Sequence, residues 1–229
     1  IPLAVKVSGK NNLPGAESLF TEQFTRLISG GQLQQAAQLA FRSPGTTIRN
    51  QQTITLLQKL QPPPGQPSPL LVYFGTLLEL GKLNQLESLE LTRVVLQQNR
   101  PQLLEKWLAD GKFECSEAMG DLVRGINPTM ALQFYHLAAA HAKVIQLLAE
   151  TGQHDKIAAN CARTNYSADF KATMSSMLPG NPAGARAFAA QALKENPKDT
   201  QIQEAFEAFM RYNLIPDLTS LMLEGLKVN

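Results

Sequence analysis

Apolar residues recur at steps of three and four along most of the chain. The first such stripe contains Leu19, Phe20, Phe24 and Ile28. Because an α-helix completes a turn every 3.6 residues, this spacing places the apolar side chains on one helical face. Further stripes occupy residues 33–41, 83–96, 103–108, 130–137, 144–148, 188–193, 202–210 and 218–226. No convincing two-residue alternation is present, so the pattern predicts helices and no β-sheet.

The start signals of the helices agree with this pattern. In three places a residue whose side chain can cap a helix is followed by proline, which suits the first turn because it has no N–H to leave unpaired. These pairs are Ser68-Pro69, Asn127-Pro128 and Asn181-Pro182. Each pair predicts the beginning of a helix.

Four glycines predict where helices end. Gly31, Gly81, Gly111 and Gly152 each follow an apolar helical pattern, and each is followed by Lys or Gln. Glycine suits the left-handed conformation that commonly follows the last turn of a helix, whereas inside a helix it costs about 1 kcal/mol relative to alanine. We therefore interpret these four residues as structural turn glycines.

The short stripes also predict how the helices pack. Helices of about 10–15 residues are marginal alone in water, so each apolar stripe must be buried against another. The turn glycines are about 40 residues apart on average, which suits stacked helical hairpins. The predicted fold is all-α, an α-solenoid of stacked antiparallel helical hairpins. The spacing is too irregular for tetratricopeptide repeats, whose W-x-x-L-G signature is also missing.

A proline-rich segment, QPPPGQPSP at residues 61–69, interrupts the helical rhythm. Its prolines favour extended backbone. We interpret it as a connector between helices rather than a ligand for a proline-binding module, because such composition is common in connectors. The predicted organisation is a helical linker region at 1–60, the connector at 61–69 and solenoid repeats at 70–229, continuous with the linker as one elongated unit.

Charge and cysteine content narrow the classes of function. The net charge is +2, charged residues make up 17% of the chain and 20 residues are glutamine, so the expected surface is polar and nearly neutral. No basic run indicates nucleic acid or an anionic membrane as partner. Two cysteines without a C-x-x-C motif indicate a reducing compartment. No membrane-spanning stretch of about 20 apolar residues and no signal peptide is found, so we expect a cytosolic piece of a longer protein.

Residues with catalytic or metal-binding chemistry are scattered. His136 and His141 would lie about 500° apart around one helix, and His154 follows a turn glycine, so none of them forms a metal-binding motif. Cys115 stands near a predicted helix start, where a thiolate could be stabilised, but no histidine partner is recognisable. We predict no catalytic residue, no metal site and no cofactor.

Two acidic residues and the single tryptophan are further candidates for a functional role. Asp110 and Glu114 flank a predicted turn, and we interpret them as solvated surface residues rather than an acid–base pair. Trp107 shares an apolar stripe with Leu104 and Leu108, which favours packing in the core. An exposed interaction anchor is the alternative for Trp107.

Several sequence motifs of the chain closely resemble those of the clathrin heavy chain family. Residues 66–123 contain SPLLVYFG, LNQLESLEL, QLLEKWL and ECSE, which are specific in combination. The resemblance continues in order through NNLPGAESLF at 11–20, NPTMAL at 127–132, KVIQLLAETGQHDKI at 143–157 and FMRYNLI at 209–215. It covers nearly the whole chain and is weakest over residues 165–198.

This resemblance implies a place in a vesicle coat. Clathrin heavy chains form three-legged triskelia, whose α-solenoid legs interweave into a lattice on the cytosolic face of coated pits and vesicles. The chain resembles the linker and ankle of the leg, just after the N-terminal β-propeller, and a right-handed superhelix is expected. The implied partners are other heavy chain legs, whereas light chains and adaptors would bind elsewhere. The chain alone is expected to be monomeric, without enzymatic activity and without membrane insertion.

The polar faces around the Gly81 and Gly111 turns are candidate lattice contacts, with Lys82 and Lys112 as the charged residues. Small polar contacts fit a coat that must assemble and come apart. Two alternatives stay open. A free-standing helical-repeat adaptor would bind a partner peptide in its concave groove and show a contiguous exposed apolar patch. A helical enzyme would need titratable groups that converge in a pocket.

Overall fold

A computed structural model of the chain describes residues 16–62, 65, 67–153, 155–164, 169–179, 182–195 and 199–226. Within these residues every regular element is an α-helix, and the extended backbone pairs only at an isolated bridge between Leu83 and Phe113. This confirms the all-α fold that the apolar stripes predict. The chain divides into two compact units, of which unit 1 ends at Leu122 and unit 2 begins at Val123.

Short turns join most consecutive helices, so neighbours in sequence run antiparallel. The described helices of unit 1 are α1 (Ala16–Ser29), α2 (Leu33–Arg42), α3 (Gln51–Lys59), α4 (Pro69–Leu80), α5 (Gln85–Gln97), α6 (Pro101–Ala109) and α7 (Glu117–Val123), whose last residue begins unit 2. Those of unit 2 are α8 (Pro128–Leu137), α9 (His141–Glu150), α10 (Asp155–Thr164), α11 (Phe170–Met177), α12 (Pro182–Glu195), α13 (Asp199–Arg211) and α14 (Ile215–Leu226).

In unit 2 most helices pack against a sequence neighbour and against the next helix but one. Helix α9 contacts α8, α10 and α11, and the pairs α10–α12, α11–α13 and α12–α14 are also in contact. Val144, Ile145, Leu147 and Leu148 form the buried face of α9, as the apolar spacing predicts. Contact between alternate helices is the pattern of stacked helical hairpins, and it confirms the solenoid type of packing.

In unit 1 helix α3 departs from this alternation. Helix α2 packs on α1 and α4, while α3 packs on α4. The buried face of α2 consists of Ala36, Ala37 and Ala40, whose small side chains allow two helix axes to approach closely. Helix α4 buries Tyr73 and Phe74 completely. The segment that contains α3 is therefore an excursion from the α2–α4 stack.

The helix caps match the start signals in part. Asn127 accepts a hydrogen bond from the Met130 N–H, as predicted. Helix α4 begins at Pro69, as Ser68-Pro69 predicts, but the Ser68 side chain makes no cap hydrogen bond, so its predicted capping role is wrong. Asn181 lies outside the described residues. Side-chain caps that the sequence analysis did not name occur at Asn50, Asn84 and Asp169.

The apolar stripe at residues 83–96 predicts helix at Leu83, and that assignment is wrong. Helix α5 begins at Gln85, and Leu83 precedes it in the extended bridge to Phe113. Leu83 is nevertheless buried. An apolar residue that is buried just before a helix fits the same spacing as one inside it, so periodicity alone does not separate the two cases.

Residues 60–68 lie between α3 and α4, so the last residue of the predicted connector, Pro69, belongs to α4. Pro62 and Pro67 are exposed, and Gly65 between them has φ +79°. A polyproline II helix, the form that proline-binding modules recognise, has φ near about −75°. Because Gly65 interrupts such a helix, this geometry favours a connector. The three proposed domain boundaries stay predictions.

Candidate functional site: a junction of inter-helix turns

Three of the four turn glycines adopt the left-handed backbone that the sequence predicts. Gly31, Gly111 and Gly152 have φ values of +70°, +65° and +72°. Gly81 has φ 173°, which is extended backbone, so its predicted left-handed conformation is wrong. The turn after α4 therefore needs glycine for a different reason.

Gly81 is required by a close approach of Phe41. A Cβ atom built on Gly81 would lie 2.7 Å from Cζ of the Phe41 ring, nearer than real Cβ contacts. The guanidinium carbon of Arg49 stacks over Phe41, 5.6 Å from the ring centroid. The aromatic ring is thus held by the Gly81 backbone and the Arg49 cation.

The turns that follow α4 and α6 are joined by backbone hydrogen bonds. The Leu83 N–H donates to the Lys112 carbonyl at 2.9 Å, and the Glu114 N–H donates to the Leu83 carbonyl at 3.2 Å. The hydroxyl of Ser88 accepts a second bond from the Glu114 N–H at 3.2 Å. We call residues 41, 49, 81–84, 87–88 and 112–114 the turn junction.

A buried ion pair brings a third inter-helix segment to the turn junction. The Arg49 Nε donates to both carboxylate oxygens of Glu87, at 3.0 and 3.1 Å, and its Nη2 donates to the Lys82 carbonyl at 2.9 Å. The Glu87 side chain is 1% exposed and that of Arg49 is 15% exposed. Burial lowers the pKa of Arg49, but the hydrogen bond and charge of Glu87 outweigh it and raise that pKa.

Asn84 completes the bonding of this ion pair. Its Oδ1 accepts from the Glu87 N–H at 2.9 Å, and Glu87 Oε2 accepts from the Asn84 N–H at 3.1 Å, which is a capping box at the start of α5. The Asn84 Nδ2 donates to the Arg49 carbonyl at 3.0 Å. The buried carboxylate therefore has several hydrogen-bond partners, which offset the cost of removing it from water.

Tyr73 lies beside the ion pair. Its ring is completely buried and packs edge-on against Phe24, with centroids 6.4 Å apart. Its hydroxyl has no hydrogen bond of ordinary geometry. Burial and then the charge of Glu87 raise the pKa of Tyr73 well above its usual value, so the phenol stays neutral.

The two lysine candidates have different environments. Lys112 is half-buried, and its ammonium donates to the Leu78 carbonyl at 2.7 Å, near the end of α4. This bond satisfies one of the carbonyls that the helix leaves unpaired. The Lys82 side chain is exposed, although its carbonyl is bonded to Arg49. The role of both residues as contacts to another chain stays a prediction.

Cys115 lies just after the turn junction and is half-buried. Burial raises the pKa of its thiol to about 11, and the charge of Lys82 offsets part of that rise. The thiol is therefore neutral at physiological pH, and the thiolate that the helix start could have stabilised does not form. This chemistry fits packing and not nucleophilic catalysis.

The remaining sequence candidates lie apart from one another. Trp107 is half-buried and packs edge-on against Phe113 with centroids 6.1 Å apart, so the core interpretation holds in part. His136 is in the last turn of α8 and His141 begins α9. The assumption that both histidines lie on one helix is therefore wrong. His154 lies outside the described residues. Asp110 and Glu114 are exposed.

Over the described ranges, no three side chains among His, Cys, Asp and Glu are grouped as a metal site would need. No described helix combines the length and apolar character needed to cross a bilayer.

Sequence reasoning missed Phe41, Arg49, Asn84 and Glu87 as members of one site. An N-x-x-E capping box could have been found at residues 84–87, because an asparagine stands three residues before a glutamate at a helix start. No local pattern identifies Arg49 as the partner of that box. The two candidate turns that contain Lys82 and Lys112 are joined by the hydrogen bond from the Leu83 N–H to the Lys112 carbonyl, which the sequence did not predict.

Comparison with known proteins gives matches along almost the entire sequence. A family model described as Clathrin-H-link matches residues 12–77. The clathrin heavy chain of Dictyostelium discoideum is 47% identical over 223 residues, which is 97% of this chain and 13% of that protein. The clathrin heavy chain of Drosophila melanogaster is 42% identical over 228 residues, 99% of this chain and 14% of that protein.

A human relative gives the same result. Clathrin heavy chain 2 of Homo sapiens is 40% identical over 227 residues, which is 99% of this chain and 14% of that protein. The chain therefore spans about one seventh of the length of the curated relatives it matches. Of the turn junction, the region matched by the family model contains Phe41 and Arg49.

Proposed function

Since this chain belongs to the clathrin heavy chain family, we propose that it forms a stretch of the helical leg of a clathrin coat. The role is mechanical: the leg connects the adaptor-binding propeller to the rest of the triskelion. The observation that carries this proposal is the sequence identity of 39–47% to clathrin heavy chains over nearly the whole chain. Stacked helical hairpins, which support one another through neighbouring contacts, suit that role.

The turn junction supports the mechanical role in unit 1. It fastens three inter-helix segments with backbone bonds at Leu83, a buried ion pair at Glu87 and a capping box at Asn84. Buried, hydrogen-bonded charges fix one geometry because any displacement leaves them unpaired. A leg that transmits force between its ends needs turns that do not bend.

We also propose that the exposed side of the turn junction contributes weak contacts to other legs in the lattice. Lys82 is exposed at the turn junction. The ammonium of Lys112, by contrast, donates to the Leu78 carbonyl. Small charged contacts of this kind are individually weak and gain strength through their number. Other clathrin heavy chains are the proposed partners, on the cytosolic face of coated pits and vesicles.

A replacement experiment tests the leg function. The matching segment of the Dictyostelium discoideum heavy chain is exchanged for this chain, and purified triskelia are assembled into cages. Cages of normal size, seen by electron microscopy and light scattering, are expected. A matched control carries a flexible Gly/Ser-rich segment of equal residue number, which cannot hold an angle and should give no regular cages. Folded, trimeric chimaeras that fail to form cages would contradict the proposal.

The lattice contact is tested separately with a charge reversal. Lys82→Glu in the same chimaera should raise the critical concentration for cage assembly several-fold, because an attractive contact becomes repulsive. Lys171→Glu, an equal change at an exposed position of α11 in unit 2, is the control. Equal critical concentrations for both variants would remove Lys82 from the lattice contacts. Lys112→Glu is less suitable, since it also breaks the bond to Leu78.

The alternative of a free-standing helical-repeat adaptor has one observation in its favour. Helices α13 and α14 expose large apolar side chains, which a partner could cover. These are Phe206, Met210, Ile215, Met222 and Leu223. A chain that binds a peptide on this face with micromolar affinity, and fails to replace the leg segment, would favour the adaptor.

A further inference from the structure

The contact between Arg163 and His136 joins two helices of unit 2 through a hydrogen bond that depends on protonation. Arg163 is in the last turn of α10, and His136 is in the last turn of α8. The Arg163 Nη2 lies 3.4 Å from His136 Nδ1. A guanidinium has donors and no acceptor, so the imidazole nitrogen must accept. The contact therefore requires a neutral His136 with its proton on Nε2.

Arg163 is held in place from its own helix. Its Nη2 also donates to Asn160 Oδ1 at 3.2 Å, and Asn160 is only 6% exposed. The guanidinium therefore has a fixed partner within α10 that does not change with pH. When the bond to His136 is lost, the connection between α8 and α10 is affected, while the anchorage of Arg163 on α10 remains.

The charges that act on His136 disfavour its cation. His136 and Arg163 are both exposed side chains. Partial burial of the ring nevertheless lowers the pKa of His136, and the charges of Arg163 from α10 and His141 from α9 lower it further. The carbonyl end of α8 would favour a cation there, since helix C-termini attract positive charge.

We propose that the Arg163–His136 hydrogen bond is a proton-sensitive connection between α8 and α10, intact at neutral pH and broken when His136 gains a proton. A protonated imidazole has donors on both nitrogens and so presents an N–H, with a positive charge, to the Arg163 guanidinium. The ends of the two helices then separate locally. This inference concerns unit 2 alone and does not rest on the coat function.

The sign of the pH dependence follows from the lowered pKa. The stabilisation from a neutral His136 is fully present above about 6.5, the ordinary histidine pKa. It is lost as the pH falls from there through the lower pKa of the folded chain. The connection should therefore loosen between neutral and mildly acidic pH.

NMR titration of the histidine ring signals in the 229-residue chain tests the charge coupling. His136 should titrate below about 6.5, and Arg163→Gln should raise its pKa toward that value. Lys156→Gln removes an equal charge from an exposed position of the same helix and should leave His136 unchanged. A His136 that titrates at or above its ordinary value, unaffected by Arg163→Gln, overturns the proposal.

Hydrogen exchange tests the mechanical consequence. Amides in the last turns of α8 and α10 should lose several-fold protection between pH 7.5 and pH 5.5, after correction for the intrinsic rate. His136→Asn keeps a neutral acceptor at both pH values, so its protection should not change with pH. Equal pH dependence in the parent chain and in His136→Asn would overturn the proposal even if one variant were less stable.

Discussion

At the scale of single residues, Glu87 carries a charge in a place that water hardly reaches. Its side chain is 1% exposed, and it depends on Arg49 and on the Asn84 N–H for compensation. Burying a carboxylate costs several kcal/mol, so the pair need not stabilise the fold more than two apolar residues would. Removing one partner is different, because the other charge then remains buried without compensation.

Arg49→Ala should lower the free energy of unfolding of unit 1 by about 3 kcal/mol or more, because it leaves Glu87 buried and unpaired. Denaturant unfolding followed by Trp107 fluorescence measures this, since Trp107 packs against Phe113 of the turn junction. The double variant Arg49→Met with Glu87→Leu should lose less than Arg49→Ala. Comparing the two variants separates the net contribution of the ion pair to stability from the cost of leaving Glu87 charged and unpaired.

Arg93→Ala is the matched control for that change. Arg93 pairs with Glu90 at 3.5 Å on the surface, and its side chain is 52% exposed. Surface ion pairs contribute about 0–1 kcal/mol, so this variant should unfold almost like the parent chain. Losses of equal size for Arg49→Ala and Arg93→Ala would show that the turn junction is not an essential connection.

Cys115 gives a prediction about pH. Its pKa of about 11 exceeds the 9.0 of an unperturbed thiol, so at pH 8 the thiolate fraction is roughly 100-fold lower in the folded chain. Alkylation by iodoacetamide, measured in a Cys161→Ser background, should be slower than in urea by about that factor. The rate should rise toward a midpoint near 11.

The same shift fixes the direction of its effect on stability. A raised pKa means that the folded state favours the neutral thiol, so this contribution is present below pH 9 and is lost as the pH rises toward 11. Lys82→Gln removes a cation that favours the thiolate, so it should slow alkylation further. A reaction midpoint near 9 in the folded chain would contradict the burial of Cys115.

The residues of the turn junction were only partly predictable from the sequence. Lys82, Lys112 and Gly81 were identified because they follow apolar stripes, which are local signals. Arg49 and Glu87 are 38 residues apart, and any of the 21 Lys and Arg residues could have been the partner of Glu87. Such a pair depends on how α5 and the segment between α2 and α3 are placed in space, which no short pattern encodes.

At the scale of elements, the turn after α4 depends on the absence of a side chain. Gly81→Ala would place a Cβ atom 2.7 Å from the Phe41 ring. The ring also stacks on Arg49, so it has little freedom to move. We expect a loss of about 1–3 kcal/mol in unfolding free energy, the usual cost of overpacking, measured by denaturant titration.

Gly75→Ala is the matched control within the same helix. Gly75 is exposed in the middle of α4, and a Cβ atom there would meet nothing within 4 Å. Alanine should stabilise the helix by about 0.5–1 kcal/mol, because it reduces the freedom of the unfolded chain. Phe41→Leu should recover part of the loss in Gly81→Ala. Similar effects of both glycine substitutions would contradict the role of Phe41.

Helices were easier to predict than their ends. The stripe at 144–148 lies within α9, because a periodic apolar face directly reports burial on one side. The turns are less regular, since Asn99, Ala139 and Asn213 adopt positive φ without being glycine. Each of them follows the end of a helix, where local backbone hydrogen bonds close the last turn. For Ala139 the left-handed conformation costs about 1–2 kcal/mol, and alanine gives no sequence signal for it.

At the scale of the whole molecule, contacts between near neighbours predict how far a disturbance travels. Helix α14 packs on α12 and α13, and these helices pack on α10 and α11. In such a stack, stability is approximately a sum of local terms. Damage to one hairpin should therefore weaken its neighbours most, and the more distant helices of unit 2 least.

Leu221→Ala tests this in unit 2. Leu221 is 5% exposed in α14, so its truncation should cost about 2–5 kcal/mol. Hydrogen exchange should accelerate at least 30-fold in α12–α14, while α8 and α9 change little. Met222→Ala, at the adjacent and exposed position, should leave all rates nearly unchanged. Uniform acceleration across unit 2 would show all-or-none unfolding and contradict the stacked description.

The fold and the family were the most predictable properties. Short apolar stripes that cannot be stable alone require stacking. Heavy chains match nearly the whole chain at 39–47% identity, in agreement with the family that the motifs indicate. The division of the chain into two compact units, between Leu122 and Val123, was not predicted. Their division depends on which helices share a core, whereas the sequence shows the same helical rhythm on both sides.

The near-neighbour contacts also set the order in which the chain can fold as it leaves the ribosome. A helix of unit 2 meets its partners within the next hairpin or two, so each newly emerged pair can dock on the one before it without waiting for the end of synthesis. In unit 1 Arg49 likewise waits for Glu87, which is translated 38 residues later. During that interval α3 can already dock on α4, but the segment that contains Arg49 lacks its buried ion pair.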